Sequence, residues 1–79
     1  MEIKLSTIRK ESPEVGMVEF TIRKVSGFFG PYKDVVMSYK KNDRKVTRTF
    51  IMDTDGRIKL KKACERLLIT ADNVLARVY

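Results

Sequence analysis

The stretch Asp34-Val-Val-Met-Ser-Tyr-Lys-Lys-Asn-Asp-Arg-Lys-Val-Thr-Arg-Thr-Phe-Ile-Met52 reads as two antiparallel strands joined by a tight turn. Asn42 and Asp43 divide it, and both tolerate the positive φ angles that a two-residue primed turn requires. With Lys41 opposite Arg44, Tyr39 faces Val46, Met37 faces Arg48 and Val35 faces Phe50. Val36, Ser38, Lys40, Lys45, Thr47 and Thr49 then share the other side. One face is mostly apolar and the other hydroxyl-rich, becoming basic towards the turn, which is the pattern of an antiparallel sheet covered on one side. Lys40 opposite Lys45 is mildly unfavourable in isolation, and a bound anion would relieve that repulsion. Arg48 is the exception on the apolar face: either the register differs from this pairing, or the face is open to solvent near its middle.

Working towards the N-terminus, residues 17–25 alternate well, with Val18, Phe20 and Ile22 pointing one way and Glu19, Thr21 and Arg23 the other. Such period-2 alternation predicts a half-buried strand. Residues 10–16 read as a turn punctuated by Pro13 and Gly16, and Ile3, Leu5 and Thr7 alternate with Lys4 and Ser6 as a short first strand. Towards the C-terminus, Asp53-Thr-Asp-Gly56 ends the hairpin and can cap a helix. Ile58, Leu60, Ala63, Cys64, Leu67 and Leu68 recur at helical spacing and predict a helix over about residues 57–69. Lys59, Lys61, Lys62, Glu65 and Arg66 form its solvated side. Residues 70–73 break the pattern, and 74–79 fit either a final strand or a short second helix.

Between the second strand and the hairpin lies Ser26-Gly-Phe-Phe-Gly-Pro-Tyr-Lys-Asp34. Two adjacent phenylalanines between glycines, followed by a tyrosine beside a lysine, are costly to leave on a surface. Such a loop can offer rings on which bases stack, with cations nearby for phosphates. It can equally fold inward and plug the end of a small barrel. Phe20 and Phe50 fit the apolar faces of their strands and are expected in the core.

The chain has 79 residues, enough for one domain spanning 1–79 and one core, to which its 43% apolar content is adequate. A domain this small is marginally stable, so a homodimer would help. No apolar run approaches the roughly 20 residues of a membrane span. The N-terminus lacks the features of a signal peptide, and the lone Cys64 suits a reducing setting. The expected location is therefore intracellular and cytoplasmic. Seventeen Lys and Arg against ten Asp and Glu give a net charge of +7. Residues 1–39 carry six bases and five acids, whereas residues 40–66 carry ten bases and four acids. A field concentrated in this way favours a polyanionic partner.

Catalysis is poorly supported, and the protein is not expected to be an enzyme. Without histidine there is no ready proton carrier near neutral pH, no Cys/His nucleophile pair and no zinc site. Cys64 falls on the apolar stripe of the helix, where it reads as a core residue. Asp53, Asp55 and Gly56 resemble a fragment of a calcium loop, but the closing Glu is missing. Gly27 and Gly30 precede a strand, so they form no phosphate loop. No cofactor and no metal are expected. A basic amphipathic helix could lie on a membrane, but its stripe offers no Trp or Phe for insertion, and no membrane partner is expected.

From Gly16 to Asp72 the chain runs curved strand, Gly/aromatic loop, hairpin and capped helix. Gly30-Pro-Tyr-Lys33, Thr49-Phe-Ile-Met-Asp53 and Leu60-Lys-Lys-Ala-Cys-Glu-Arg-Leu67 resemble small phage and viral single-stranded-DNA-binding proteins of OB-fold type. The resemblance covers about two-thirds of the chain. It implies a viral protein acting in the host cytoplasm, built as a five-stranded, partly open barrel that coats single strands. This chain places four strands before its helix, and in that respect it is similar to the Whirly proteins and the positive-cofactor type of coactivator. Those are four-stranded antiparallel sheets followed by a helix, and they also bind single strands, usually as oligomers. The expected fold is thus a small β-rich α+β domain, an OB-like antiparallel β-barrel with one helix after the 34–52 hairpin. The alternative is the four-stranded sheet plus helix.

The expected function is non-catalytic binding of single-stranded nucleic acid, DNA more than RNA. Arg23, Lys33, Lys40, Lys45 and Arg48 are the candidates for phosphate neutralisation, and Phe28, Phe29 and Tyr32 for stacking. The rival is a small interaction module or phage-encoded inhibitor that engages an acidic protein partner through the same surface. A third reading is a β-ribbon reader of duplex DNA, which would dimerise.

Overall fold

The computed structural model describes residues 2–78. Strands β1 (Glu2–Ser12), β2 (Gly16–Gly27), β3 (Gly30–Lys41) and β4 (Arg44–Ile51) precede helices α1 (Thr54–Arg66) and α2 (Asp72–Val78). The strands pair antiparallel in chain order, β1-β2-β3-β4. Among the described residues β1 and β4 are the two edges of an open sheet, and the barrel closure expected of an OB-like fold is not shown. A small α+β domain with a four-stranded antiparallel sheet followed by a helix is what forms.

The β3–β4 hairpin has the register that its alternation dictates, with Val35 opposite Phe50, Met37 opposite Arg48, Tyr39 opposite Val46 and Lys41 opposite Arg44. Asn42 (φ 52) and Asp43 (φ 63) make the primed turn. The first strand is longer than the expected 3–7 segment. Beyond a register shift between Lys4 and Ser6 it pairs as far as Ser12 opposite Gly16, so the turn shrinks to Pro13, Glu14 and Val15. Its far half escaped the alternation because two of its inward positions are polar. Lys10 Nζ donates to Thr70 O (2.7 Å), and the buried Ser12 hydroxyl donates to Leu67 O (2.5 Å). Both bonds tie the sheet to the connection between the helices.

Helix α1 starts earlier than its apolar stripe suggests. Asp53 caps it, with Oδ1 accepting from Gly56 N–H (2.6 Å). Gly56 is needed for close approach: a Cβ there would lie 1.6 Å from Ile51 O. The helix ends in a Schellman arrangement, in which Leu68 N–H donates to Glu65 O and Ile69 N–H to Cys64 O. Leu68 itself takes the left-handed φ of 57, which stops the helix before residue 69. Residues 72–78 form α2, so the open choice between strand and helix near the C-terminus falls to helix; Tyr79 lies outside the described residues.

Both helices cover one face of the sheet. Val18, Phe20 and Ile22 from β2, Val35 and Met37 from β3, and Phe50 from β4 pack with Leu60, Ala63, Cys64 and Leu67 of the α1 region and Ala71, Val74 and Val78 of the α2 region. Burying each large apolar side chain contributes about 1.5–3 kcal/mol. Phe20, Phe50 and Cys64 lie in this core, as their strand parity and helical spacing lead one to expect. Among the described residues the opposite face of the sheet carries no helix.

Candidate functional site

The β2–β3 connection is a two-residue turn. Gly27 pairs with Gly30, leaving Phe28 and Phe29 at the tip. Neither phenylalanine has a positive φ; Gly30, at φ 114, takes the conformation that closes the turn. The rings are 96% and 98% exposed, and they meet edge to face with centroids 5.0 Å apart. Of the two arrangements open to this loop, projection into solvent is the one adopted. Tyr32, 37% exposed, lies over Gly27, where an added Cβ would meet its Cε1 at 2.8 Å.

Three pairs below the turn, about 10 Å along the ladder, Lys24 lies opposite Lys33. With Tyr32, Met52 and Arg57 they line a pocket of about 320 Å³. Lys33 Nζ also donates to Val78 O (2.6 Å), so this cation helps seat the end of α2. Like charges directly opposite each other destabilise a sheet, and the pattern recurs at the other end. There Lys40 faces Lys45 and Lys41 faces Arg44 beside the β3–β4 turn. The two tips lie at opposite ends of β3, whose 12 residues span about 36 Å, close to the 37 Å long axis of the molecule.

The middle of the uncovered face is different. Arg23 donates Nε–H to Asp34 Oδ1 (2.9 Å), Nη2–H to Asp34 Oδ2 (2.6 Å) and Nη1–H to Glu2 Oε2 (2.7 Å). Asp34 is only 2% exposed. Hydrogen bonding to Asp34 is the main cause that raises the Arg23 pKa above its ordinary value, against the opposing pull of desolvation. A bidentate fork of this kind is among the stronger charge-assisted contacts. Alongside it Arg9 pairs with Glu19 (3.2 Å). Positive charge on this face is therefore largely offset at its centre and stands out at the β3–β4 end, where Lys40 faces Lys45, whereas Lys24 and Lys33 share the parity of Ile22 and Val35 on the helix side.

Arg48 lies at the expected register, on the side that the helices cover. It is exposed because β4 is an edge strand, and its guanidinium rests 4.9 Å from the centre of the Phe50 ring. Lys59, Lys62 and Arg66 of α1 gather with it around a shallow depression of about 120 Å³. Of the residues singled out from sequence, Phe28, Phe29, Tyr32 and Lys33 fall together at the β2–β3 end. Lys40 and Lys45 fall together at the other end, Arg23 sits between them, and Arg48 belongs to the β4 edge. Lys24 and Arg57 are the neighbours that sequence reasoning missed. Strand parity from Gly27 opposite Gly30 would have found Lys24; Arg57, in the first turn of α1, meets it only across the pocket, beside Met52, whose N–H donates to Lys33 O.

Among the described residues no group of three or more His, Cys, Asp or Glu is placed to hold a metal ion, and no helix is long and apolar enough to cross a membrane. Burial pushes the Cys64 thiol up to about 11, which leaves it a poor nucleophile near neutrality. What the arrangement offers chemically is a pair of exposed rings at a hairpin tip, with Lys24 and Lys33 about 10 Å along the ladder. Comparisons with protein-family models, with curated proteins and with solved structures return no match for this chain.

Proposed function

We propose that this protein binds single-stranded nucleic acid, DNA in preference to RNA, without catalysing a reaction on it. The observation that carries the reading is the water-exposed Phe28–Phe29 pair at the tip of a hairpin whose flank holds Lys24 and Lys33. Every base has a π-face, so exposed rings capture unpaired bases with little regard to sequence, at roughly 1–3 kcal/mol per stacked base. A duplex hides those faces, which is why the single strand is the favoured ligand. Phe28, Phe29 and Tyr32 stack on the bases. Lys33, Lys40, Lys45 and Arg48 neutralise phosphates, while Arg23, engaged by Asp34 and Glu2, contributes mainly by ordering the sheet.

Two further features support the reading. Same-charge cross-strand pairs at both ends of the sheet are a standing cost that a bound polyanion removes. The open four-stranded sheet followed by a helix favours the resemblance to the Whirly and positive-cofactor proteins over the OB-like one. The decisive experiment titrates labelled oligo-dT, oligo-U and a duplex of equal length at several salt concentrations. Binding ordered dT, then U, then duplex supports the proposal; equal or tighter duplex binding contradicts it.

One observation favours a second reading. The two rings touch edge to face and form a single apolar wedge of the kind that anchors a protein interface. A cationic rim would suit an acidic partner protein. Co-purification of one stoichiometric protein, with no oligonucleotide affinity, would select this reading.

A further inference from the structure

A further group of cations lies away from the aromatic tip, along the β4 edge. Arg48 stands on a strand face that is otherwise apolar, and its guanidinium is held against Phe50, itself buried in the core. That contact holds the guanidinium beside the ring while Arg48 stays exposed to solvent. Lys59, Lys62 and Arg66 follow one stripe of α1 at spacings of three and four residues, so they stand one above another beside Arg48. Among the described residues the one carboxylate paired with this group is Asp55, which meets Lys59 at 3.0 Å where both are exposed. Arg48, Lys62 and Arg66 have no carboxylate partner there. Beyond Arg48 towards the β3–β4 turn, the same edge continues into Lys45 and Arg44.

We infer that Arg48, Lys59, Lys62 and Arg66 form a phosphate-binding wall along which the backbone of the bound single strand runs between the two ends of the sheet. This deepens the single-strand reading and rests on it. The wall separates two tasks in space, with stacking at the β2–β3 tip and backbone neutralisation at the junction of β4 and α1. An alternative course across the uncovered face would meet Arg9 and Arg23 already engaged by Glu19, Asp34 and Glu2. Charge complementarity therefore directs a polyanion to the edge.

The test compares oligo-dT affinity against salt for the wild type, Lys62→Ala/Arg66→Ala and Phe28→Ala/Phe29→Ala. Single strands contribute a log–log slope of about 0.7 per neutralised phosphate. The wall variant is expected to lower the slope magnitude by about 1.4, while the tip variant weakens binding and leaves the slope unchanged. An unchanged slope in the wall variant overturns the inference. If the wild type binds no oligonucleotide, the single-strand proposal and this path both fall. Titration with tripolyphosphate, followed at the arginine Nε–H signals, then shows what survives. Saturable shifts at Arg48 and Arg66, but not at Arg9 and Arg23, assign the wall to a different polyphosphate; uniform or absent shifts remove the phosphate site as well.

Discussion

Phe28 and Phe29 stand in water because a two-residue turn has no interior in which to hide them. Both are exposed almost completely, so Phe28→Ala/Phe29→Ala should melt within a degree or two of the wild type, read by circular dichroism. Losing two stacking rings should nonetheless weaken oligo-dT binding by tenfold or more. Cys64 is the opposite case, a thiol sealed in the core. Its pKa rises from 9.0 to about 11 on folding, so between those values the unfolded chain releases a proton that the folded chain keeps. The contribution of Cys64 is constant well below pH 9 and falls as the pH climbs through that window, by about 2–3 kcal/mol at most. The alkaline loss should be smaller in Cys64→Ala, measured by urea melts at pH 8 and pH 11. The position of Cys64 could be read from helical spacing alone. The exposure of Phe28 and Phe29 could not, since the same residues are equally suited to plug the end of a small barrel. Arg48 was legible in register but not in purpose, because what surrounds it depends on where α1 lands.

The hairpin from β3 to β4 was readable pair by pair because its period is unbroken and its turn residues tolerate positive φ. The outer half of β1 was not, since Lys10 and Ser12 point inward to bond carbonyls that arrive from more than fifty residues away. Helix α1 lay between these cases. Its apolar stripe was clear, but its first turn is polar and its end is set by a backbone motif. Leucine at the left-handed position after the helix is strained by about 1–2 kcal/mol relative to glycine. Leu68 is exposed, so Leu68→Gly should raise the melting temperature by several degrees. In the other direction, Asp53→Ala removes the cap on Gly56 N–H and should cost about 1 kcal/mol, visible as a lower urea midpoint with an unchanged slope.

Taken together, the sheet carries rings at one end, basic hairpin residues at the other and a row of cations along the edge between them. Charge counting along the chain located the excess in residues 40–66. It could not show that α1 folds back along β4 and gathers much of that excess on one side, because pairing of helix to strand is decided by tertiary packing. The central claim is that a single strand is held by these rings and cations together, and salt-dependent anisotropy of labelled oligo-dT tests it most directly. Neutralising roughly four to six phosphates predicts a log–log slope of about −3 to −4, with wild type at least about tenfold tighter than Phe28→Ala/Phe29→Ala throughout. A flat salt response, or equal affinities for the two proteins, would contradict it.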